Sequence, residues 1–551
     1  MDTKLIEYLR DFLSKNDIDG IIINSTNEFL VEYNKLELNS RYHVTDFTGS
    51  TGDVLLTSDK IYLFVDTRYH EQADNEVDKN LVDVVKVPLT KSYLTALEEI
   101  IPSYFKLGMI ATKVSKKFYE VLEKNLQCKN STIRLFNSDP VMEFKAESIE
   151  PIKYNVFKVS EDITGMSADA KFETIKEYAG EEFNILVSSL EDIAYLTNMR
   201  SYDFDYSSVF PAKAIITQDN VTIYSDCDIP YIGGHYQVRP LSEFAPRLKE
   251  FNKTELFIDD TNLSICDYKL INTNNKIMPS HLRLFKTVKN ENEINHLKHC
   301  FMRSDNALKV IYEMINSETI YSEYDYYEAL IKAMKDNGAS SLSFKPIVAS
   351  GSNSSIIHYT SPSKEKMVED GDFLLVDFGG YYEGGYATDT TRTFLKGTPT
   401  PEQKTAYTAV LKAFFNAYYN KYNKKSSYFN IDKIARDTIE KSVDEEYKFA
   451  HGTGHGVGIS VHENPPRVSS AEAAKTKIIE NTVFSIEPGV YKEGWGGIRL
   501  ENTVYASYEE DKIVMNTLSH FPFEIKLVDL SMMNDYEKYY YMKWQAASCI
   551  Q

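Results

Sequence analysis

Three of the chain's eleven histidines, His451, His455 and His462, fall inside one stretch, HGTGHGVGISVHE. Imidazoles gathered this closely suggest a metal. His451 and His455 stand four apart, the spacing used by zinc-binding HExxH helices. Gly452, Gly454, Gly456 and Gly458 argue against a helix, since each glycine in a helix interior costs about 1 kcal/mol. The segment is expected to be extended or looped. Four residues of strand span roughly 13 Å at about 3.3 Å each, so one of these two histidines, not both, should reach a given ion. The alternating glycines also clear one side of the segment for a substrate or another backbone.

Carboxylates occur in a matching pattern. In DFLLVDFGGYYEGGYATDTTRTF, an apolar strand, a glycine-rich turn and a β-branched return strand predict a hairpin. Asp377 and Asp389 lie on opposite arms, symmetric about Glu383. Residues paired across a hairpin have Cβ atoms roughly 4.5–5.5 Å apart, and two aspartates so placed repel unless a cation lies between them. FSIEPGVYKEGWGGIRLENTVY repeats the device, with Glu487 and Glu501 symmetric about Gly494. Arg499 shares a strand face with Glu501, where it can orient a carboxylate or steady a substrate oxygen. Four inward carboxylates call for two divalent cations, and oxygen ligands plus imidazole suit Mn²⁺, with Zn²⁺, Fe²⁺ or Co²⁺ tolerated. A fourth histidine, His358 in GSNSSIIHYTSP, stands beside a tyrosine in a β-type run just ahead of the first hairpin. The two-His, one-carboxylate triad of iron oxygenases is a rival motif, but four carboxylates outnumber it.

The elements that must hold these groups follow from periodicity. Leu5, Ile6, Leu9, Phe12 and Leu13 recur at helical spacing behind an Asp2-Thr3 start. DGIIIN reads as a buried strand, and DVLLTSDKIYLFVDTRY as a hairpin turning at Ser58-Asp59. The same order returns in FNILVSSLEDIAYLTN and AKAIITQDNVTIYSD, so residues 1–158 and 159–285 read as two related α/β modules. DFTGSTG, from Asp46, lacks the lysine of a phosphate loop and reads as a tight turn. Residues 286–551 open with a helical region from about Glu291 to Asn337, whose His296 and His299 are expected on a solvated face. They then carry every motif above and form the expected catalytic domain.

Composition narrows the classes. A formal charge of −20 argues against nucleic acid and against an anionic membrane surface. Five scattered cysteines, Cys128, Cys227, Cys266, Cys300 and Cys549, form no CxxC and fit a reducing compartment. No apolar run has the length of a signal peptide core at the N-terminus or of a membrane span. A cytoplasmic location is the expectation.

The segments IIHY, LLVDFGG…TDTTRTF, HGTGHGVG…VHE, FSIEPGVY and GIRLENTVY, in that order, resemble the pita-bread metallopeptidases. Within them the likeness is to the long, three-domain Xaa-Pro aminopeptidases, the aminopeptidase P group. DFTGSTG and YLTNMRS…SSVFPAKAIIT are similar to that group's two N-terminal domains. The resemblance implies an α/β (α+β) chain, with two creatinase-like α/β domains ahead of a pita-bread catalytic domain. It implies five ligands for two divalent ions, Mn²⁺ first and Zn²⁺ or Co²⁺ as alternatives: Asp377, Asp389, His455, Glu487 and Glu501, with Asp389 and Glu501 bridging. His358 and His462 match histidines that contact the scissile peptide, His451 a substrate-side histidine, and Arg499 a supporting arginine. The implied reaction is attack by a metal-bridging hydroxide on the carbonyl before proline, with Glu487 carrying the proton to the leaving nitrogen and His358 or His462 stabilising the oxyanion. The implied partners are peptides with proline second, and a second copy of the chain in a homodimer. The front domains would limit cleavage to the first residue.

Prolidases share all five ligands, but the three-domain length favours the aminopeptidase. Non-catalytic scaffolds and metal-free creatinase-like enzymes of this fold are disfavoured by the intact ligand positions. One departure stands out. The spacing from Asp377 to Asp389 is one residue longer than the family's, which predicts a bulge or a longer loop there.

Overall fold

In the computed structural model, residues 2–180, 183–272 and 274–548 are described; Cys549 lies outside them. The chain divides into two compact units. One comprises Met1–Lys158, Met166–Asp205 and Val209–Leu282, and the other Val159–Gly165, Tyr206–Ser208 and Arg283–Gln551.

The first unit contains the expected repeat. Its leading helix, Thr3–Lys15, is capped by the Asp2 carboxylate and buries Leu5, Ile6, Leu9 and Leu13. A six-stranded sheet runs in the order Val82–Lys86, Ile61–Val65, Asp53–Thr57, Gly20–Ile23, Lys106–Ile110, Thr132–Phe136. A second runs Tyr236–Arg239, Val221–Tyr224, Lys213–Thr217, Phe183–Val187, Glu255–Ile258, Lys276–Pro279. The two agree in strand order and in every direction. In each, a central strand pairs antiparallel with the first strand of a hairpin and parallel with a later strand, which in turn pairs parallel with the next. The turn from Asp46 is tight, as its glycines predict. Asp46 is left-handed (φ 58°), and the buried Arg41 guanidinium donates to the carbonyls of Gly49 and Thr51.

The second unit packs helices against short antiparallel sheets. Capping boxes start four of its helices among the described residues: Glu291–Ile315, Glu323–Asp336, Pro401–Tyr418 and Tyr428–Glu440. The strands Ile347–Ser350, Phe373–Phe378 and Thr390–Leu395 form one sheet, and Val483–Ile486, Asn502–Glu509, Lys512–Thr517 and Tyr422–Asn423 another. Phe414, Phe415, Tyr418, Phe523 and Trp544 pack together in its core. No helix among the described residues is long and apolar enough to cross a membrane.

Candidate metal centre

The first carboxylate hairpin forms, but its register differs from the symmetric one. Asp377 pairs with Thr391 and Phe378 with Thr390, and the same alignment reaches a bridge between Tyr381 and Ala387. The turn centres on Gly384, not Glu383, because Gly384 (φ +88°) and Gly385 (φ +68°) both adopt the left-handed conformation. Asp377 and Asp389 are therefore diagonal neighbours on one face, two residues out of step, not an opposed pair. The register runs without a shift from Phe373 to Ala387, so the longer spacing is taken up in the turn and no bulge occurs. That turn docks on the helix Glu291–Ile315. His296 Nε2 meets the Glu383 carbonyl and its ring contacts Tyr386, so His296 is half-buried, contrary to expectation, while His299 is exposed.

The second hairpin keeps the symmetry read from the sequence. Gly489 pairs with Arg499, and Val483 with Tyr505, one register throughout, which sets Glu487 opposite Glu501. The Glu501 N–H donates to the Thr391 carbonyl (3.1 Å) and Thr391 Oγ1 to Glu501 Oε2 (2.7 Å), which ties the two hairpins together.

The histidine stretch crosses this junction as an extended segment. Gly454–His455 pairs with Arg467–Val468, and the Glu487 N–H donates to the Thr453 carbonyl (2.8 Å). The glycines are needed for backbone approach: a Cβ on Gly454 would lie 2.0 Å from the Ser485 carbonyl oxygen, and one on Gly456 2.0 Å from that of Glu463. His455 Nε2 ends 3.5 Å from both Asp389 Oδ2 and Glu487 Oε1. Ligand atoms of Asp389, His455 and Glu501 all lie within 4.8 Å of one another.

These groups fit divalent cations. Two bonds of roughly 2.1 Å at the tetrahedral angle span about 3.4 Å, which matches the 3.5 Å separations around His455 Nε2. Asp377 Oδ1 and Glu501 Oε1 are buried with no hydrogen-bond partner, an arrangement that costs free energy unless a cation meets them. Burial, reinforced by the neighbouring carboxylates, pushes Asp389 and Glu501 well above the ordinary carboxyl range. Burial also raises Glu487 to about 7, with Asp377 adding to the shift and Arg499 and His462 opposing it. This is how crowded carboxylates behave when protons, not metal ions, must neutralise them.

Around the ligand cluster runs a chain of polar contacts. Arg499, 2% exposed, donates from Nη2 to Asp377 Oδ2 (2.6 Å) and from Nη1 to the Tyr491 hydroxyl (2.7 Å). That hydroxyl lies 2.9 Å from His451 Nε2. Burial raises the Tyr491 phenol to about 12, so it stays protonated. The His451 ring thus reaches the centre through Tyr491 and Arg499. The His462 ring stands edge-on to His455, centroids 4.5 Å apart. His358 is in a turn after the one-turn helix Gly351–Ser355, not in a β-type run, because Tyr359 N–H closes onto the Ile356 carbonyl. That loop packs on the second hairpin, where the Gly497 N–H donates to Ser354 Oγ (2.7 Å).

Three contributors escape sequence reasoning. Tyr491 has only its position two residues from Gly489 in the hairpin as a signal. The Lys289 ammonium forms a buried ion pair with Glu463, next to His462, and Glu463 Oε2 accepts from the Ile459 N–H (3.0 Å). Lys289 and Lys286 hold Glu463 below the ordinary range despite its burial. Ser208 Oγ lies 2.6 Å from the Gly385 carbonyl and 2.9 Å from that of Ile459, between the first hairpin and the histidine stretch.

Residues 295–507 match the model of metallopeptidase family M24. Two further matches, at 6–143 and 149–293, are to Creatinase/Prolidase N-terminal domains, so the M24 unit follows two creatinase-type domains. The chain is 29% identical to Xaa-Pro aminopeptidase 1 of Dictyostelium discoideum, over 97% of this chain and 92% of that protein. It is 28% identical to a probable Xaa-Pro aminopeptidase P of Coprinopsis cinerea, over 99% and 95%. Its fold is that of the X-prolyl aminopeptidase of Caenorhabditis elegans, described as a cytosolic enzyme with a di-nuclear active site (TM-score 0.92, 20% identity, 99% and 95% covered). A prolidase from Thermococcus sibiricus covers 65% of the chain, with 98% of its own length, at a TM-score of 0.52 and 26% identity.

Proposed function

We propose that the protein is a dinuclear-metal aminopeptidase that hydrolyses the N-terminal Xaa-Pro bond of peptides and releases the first amino acid. The observation that carries this is the junction of the two hairpins, where four carboxylates and His455 face one another with carboxylate oxygens left unpaired. Asp377, Asp389, His455, Glu487 and Glu501 would hold two divalent ions, Mn²⁺ first, with Zn²⁺ or Co²⁺ as alternatives. When bound, the ions supply Lewis-acid polarisation of the scissile carbonyl and an activated water at neutral pH.

The chain's own groups do the rest. Glu487 keeps 16% of its side chain exposed, so its carboxylate can take a proton from the attacking water and return it to the departing proline nitrogen. His462, edge-on to His455 and acting on the Glu487 charge, is placed to donate to the tetrahedral oxyanion. Arg499 fixes the Asp377 carboxylate, and Tyr491 transmits that order to His451 on the substrate side. An Xaa-Pro bond has no N–H, so recognition rests on the free amine, the carbonyl and the ring. The agreement with Xaa-Pro aminopeptidases over nearly the whole chain favours this substrate over the dipeptides of the shorter prolidase.

The reading carries a cytosolic location, as described for the C. elegans enzyme, and a homodimer, which sedimentation tests. The deciding experiment compares Mn²⁺-loaded protein on an Xaa-Pro-Pro tripeptide and on an Xaa-Pro dipeptide. Release of the first residue from the tripeptide supports the proposal, and cleavage of the dipeptide alone overturns it in favour of a prolidase.

A further inference from the structure

We propose that Glu323 is a positioning residue that fixes the loop carrying His358; this rests on the reading that His358 serves the aminopeptidase site. Glu323 opens the helix Glu323–Asp336 and is fully buried. Its Oε1 accepts from the Ser350 N–H (2.6 Å), Ser350 Oγ (3.1 Å) and Asn353 Nδ2 (3.0 Å), and its Oε2 from the Tyr359 hydroxyl (2.8 Å) and the Ser363 N–H (3.1 Å). All five donors belong to the segment from Ser350 to Ser363, which begins at the end of a core strand and has His358 inside it. Asn353 Nδ2 also donates to the Tyr359 hydroxyl (3.1 Å), linking the donors on either side of His358. The helix backbone reinforces the hold, since the N–H groups of Glu323 and Tyr324 donate to the carbonyls of Lys366 and Ser363.

A buried carboxylate is a poor choice for packing alone, because an apolar side chain of equal volume avoids its desolvation. What a carboxylate adds is acceptor capacity for several donors at once, together with a favourable place at a helix N-terminus. Burial, with the Glu323 charge behind it, keeps the Tyr359 phenol above its usual pKa and so a donor. Tyr359 is the neighbour of His358, so the clamp sets the backbone from which the imidazole projects.

The test uses full-length, metal-loaded protein and the E323Q, H358A and E323Q/H358A variants on an Xaa-Pro-Pro peptide. The amide of E323Q has one acceptor oxygen, so either Ser350 N–H or Ser363 N–H loses its partner whichever way the amide turns. The expected result is a fall in kcat of about ten- to a hundredfold, with KM and bound metal unchanged. The double variant should be no slower than H358A, because the two residues act as one unit. Hydrogen exchange should accelerate in 350–363 and not in 372–395. Losses that multiply in the double variant, or unchanged exchange in 350–363, overturn the proposal. If E323Q does not accumulate folded, Tyr359→Phe removes one donor, and the same cycle with H358A decides. If wild-type protein releases no amino acid, the functional reading falls, and exchange in E323Q alone decides the clamp.

Discussion

Arg499 holds Asp377 through Nη2 at 2.6 Å while its Nη1 holds the Tyr491 hydroxyl at 2.7 Å, so one guanidinium sets the Asp377 carboxylate directly and the His451 ring through Tyr491. The planar fork makes this possible, and a lysine ammonium has no equivalent pair of directions. R499K should therefore lose one of the two contacts, and R499M both. Removing one partner of a buried ion pair costs about 3–5 kcal/mol, so R499M should unfold at lower denaturant and bind Mn²⁺ more weakly. Equal metal affinity in R499M and wild type would falsify the role given to Arg499.

Glu487→Gln and His455→Ala should each leave a folded protein with peptidase turnover reduced by at least about a thousandfold, roughly 4 kcal/mol of barrier. Single-turnover assays at saturating Mn²⁺ check this. Near-normal rates in either variant would rule out the site.

Stripping the metal should make stability fall as pH rises. Asp389, Glu487 and Glu501 have folded pKa values raised above the unfolded carboxyl range, to about 7 for Glu487. The metal-free native state therefore binds more protons than the unfolded chain between the ordinary carboxyl range and about pH 7. Stability is present below that window and is lost through it. Metal competes with those protons, so the gap in melting temperature between loaded and stripped protein should widen from pH 5 to pH 7.5. A gap that is constant, or that narrows, contradicts the assignment.

Lys289→Met should strand the Glu463 carboxylate beside His462, with a loss of about 3–5 kcal/mol. Pairing it with Glu463→Gln should restore part of that loss, since the group left without Lys289 is then neutral. Chemical denaturation of the three variants measures the recovery, and a double variant no better than K289M would show that the pair does not act as a unit.

Gly454→Ala should be harmful although it adds one methyl group. Its Cβ would sit 2.0 Å from the Ser485 carbonyl oxygen, so the strand must shift and carry His455 away from Asp389 and Glu487. Overpacking of this kind costs about 1–3 kcal/mol, and titration calorimetry should show weakened Mn²⁺ binding. Wild-type affinity would mean that the approach is not needed.

The sequence is most legible where the chemistry is local. Glu487 and Glu501 could be paired because turn symmetry about Gly494 is written in adjacent residues, and the repeated sheets follow from two similar runs of strand patterns. The first hairpin lies two residues off the register that symmetry about Glu383 predicts, because two left-handed glycines, not the midpoint between aspartates, set its turn. Partners far apart in the chain left no signal: Lys289 meets Glu463 across 174 residues, and Glu323 meets Tyr359 across 36. The burial of His296 leaves no signal for the same reason, since the Glu383 carbonyl that covers it lies 87 residues away.

Ser208 closes a buried gap between the Gly385 and Ile459 carbonyls, yet it is encoded far upstream of the main segment of its unit, which starts at Arg283. The unit with the candidate metal centre is thus not one contiguous stretch of chain. A clone trimmed to the residues after 285 would delete this serine, leave two interior carbonyls unanswered and loosen the seam between the first hairpin and the histidine stretch. Excision, grafting or circular permutation of the module therefore has to carry residues 159–165 and 206–208 along with it.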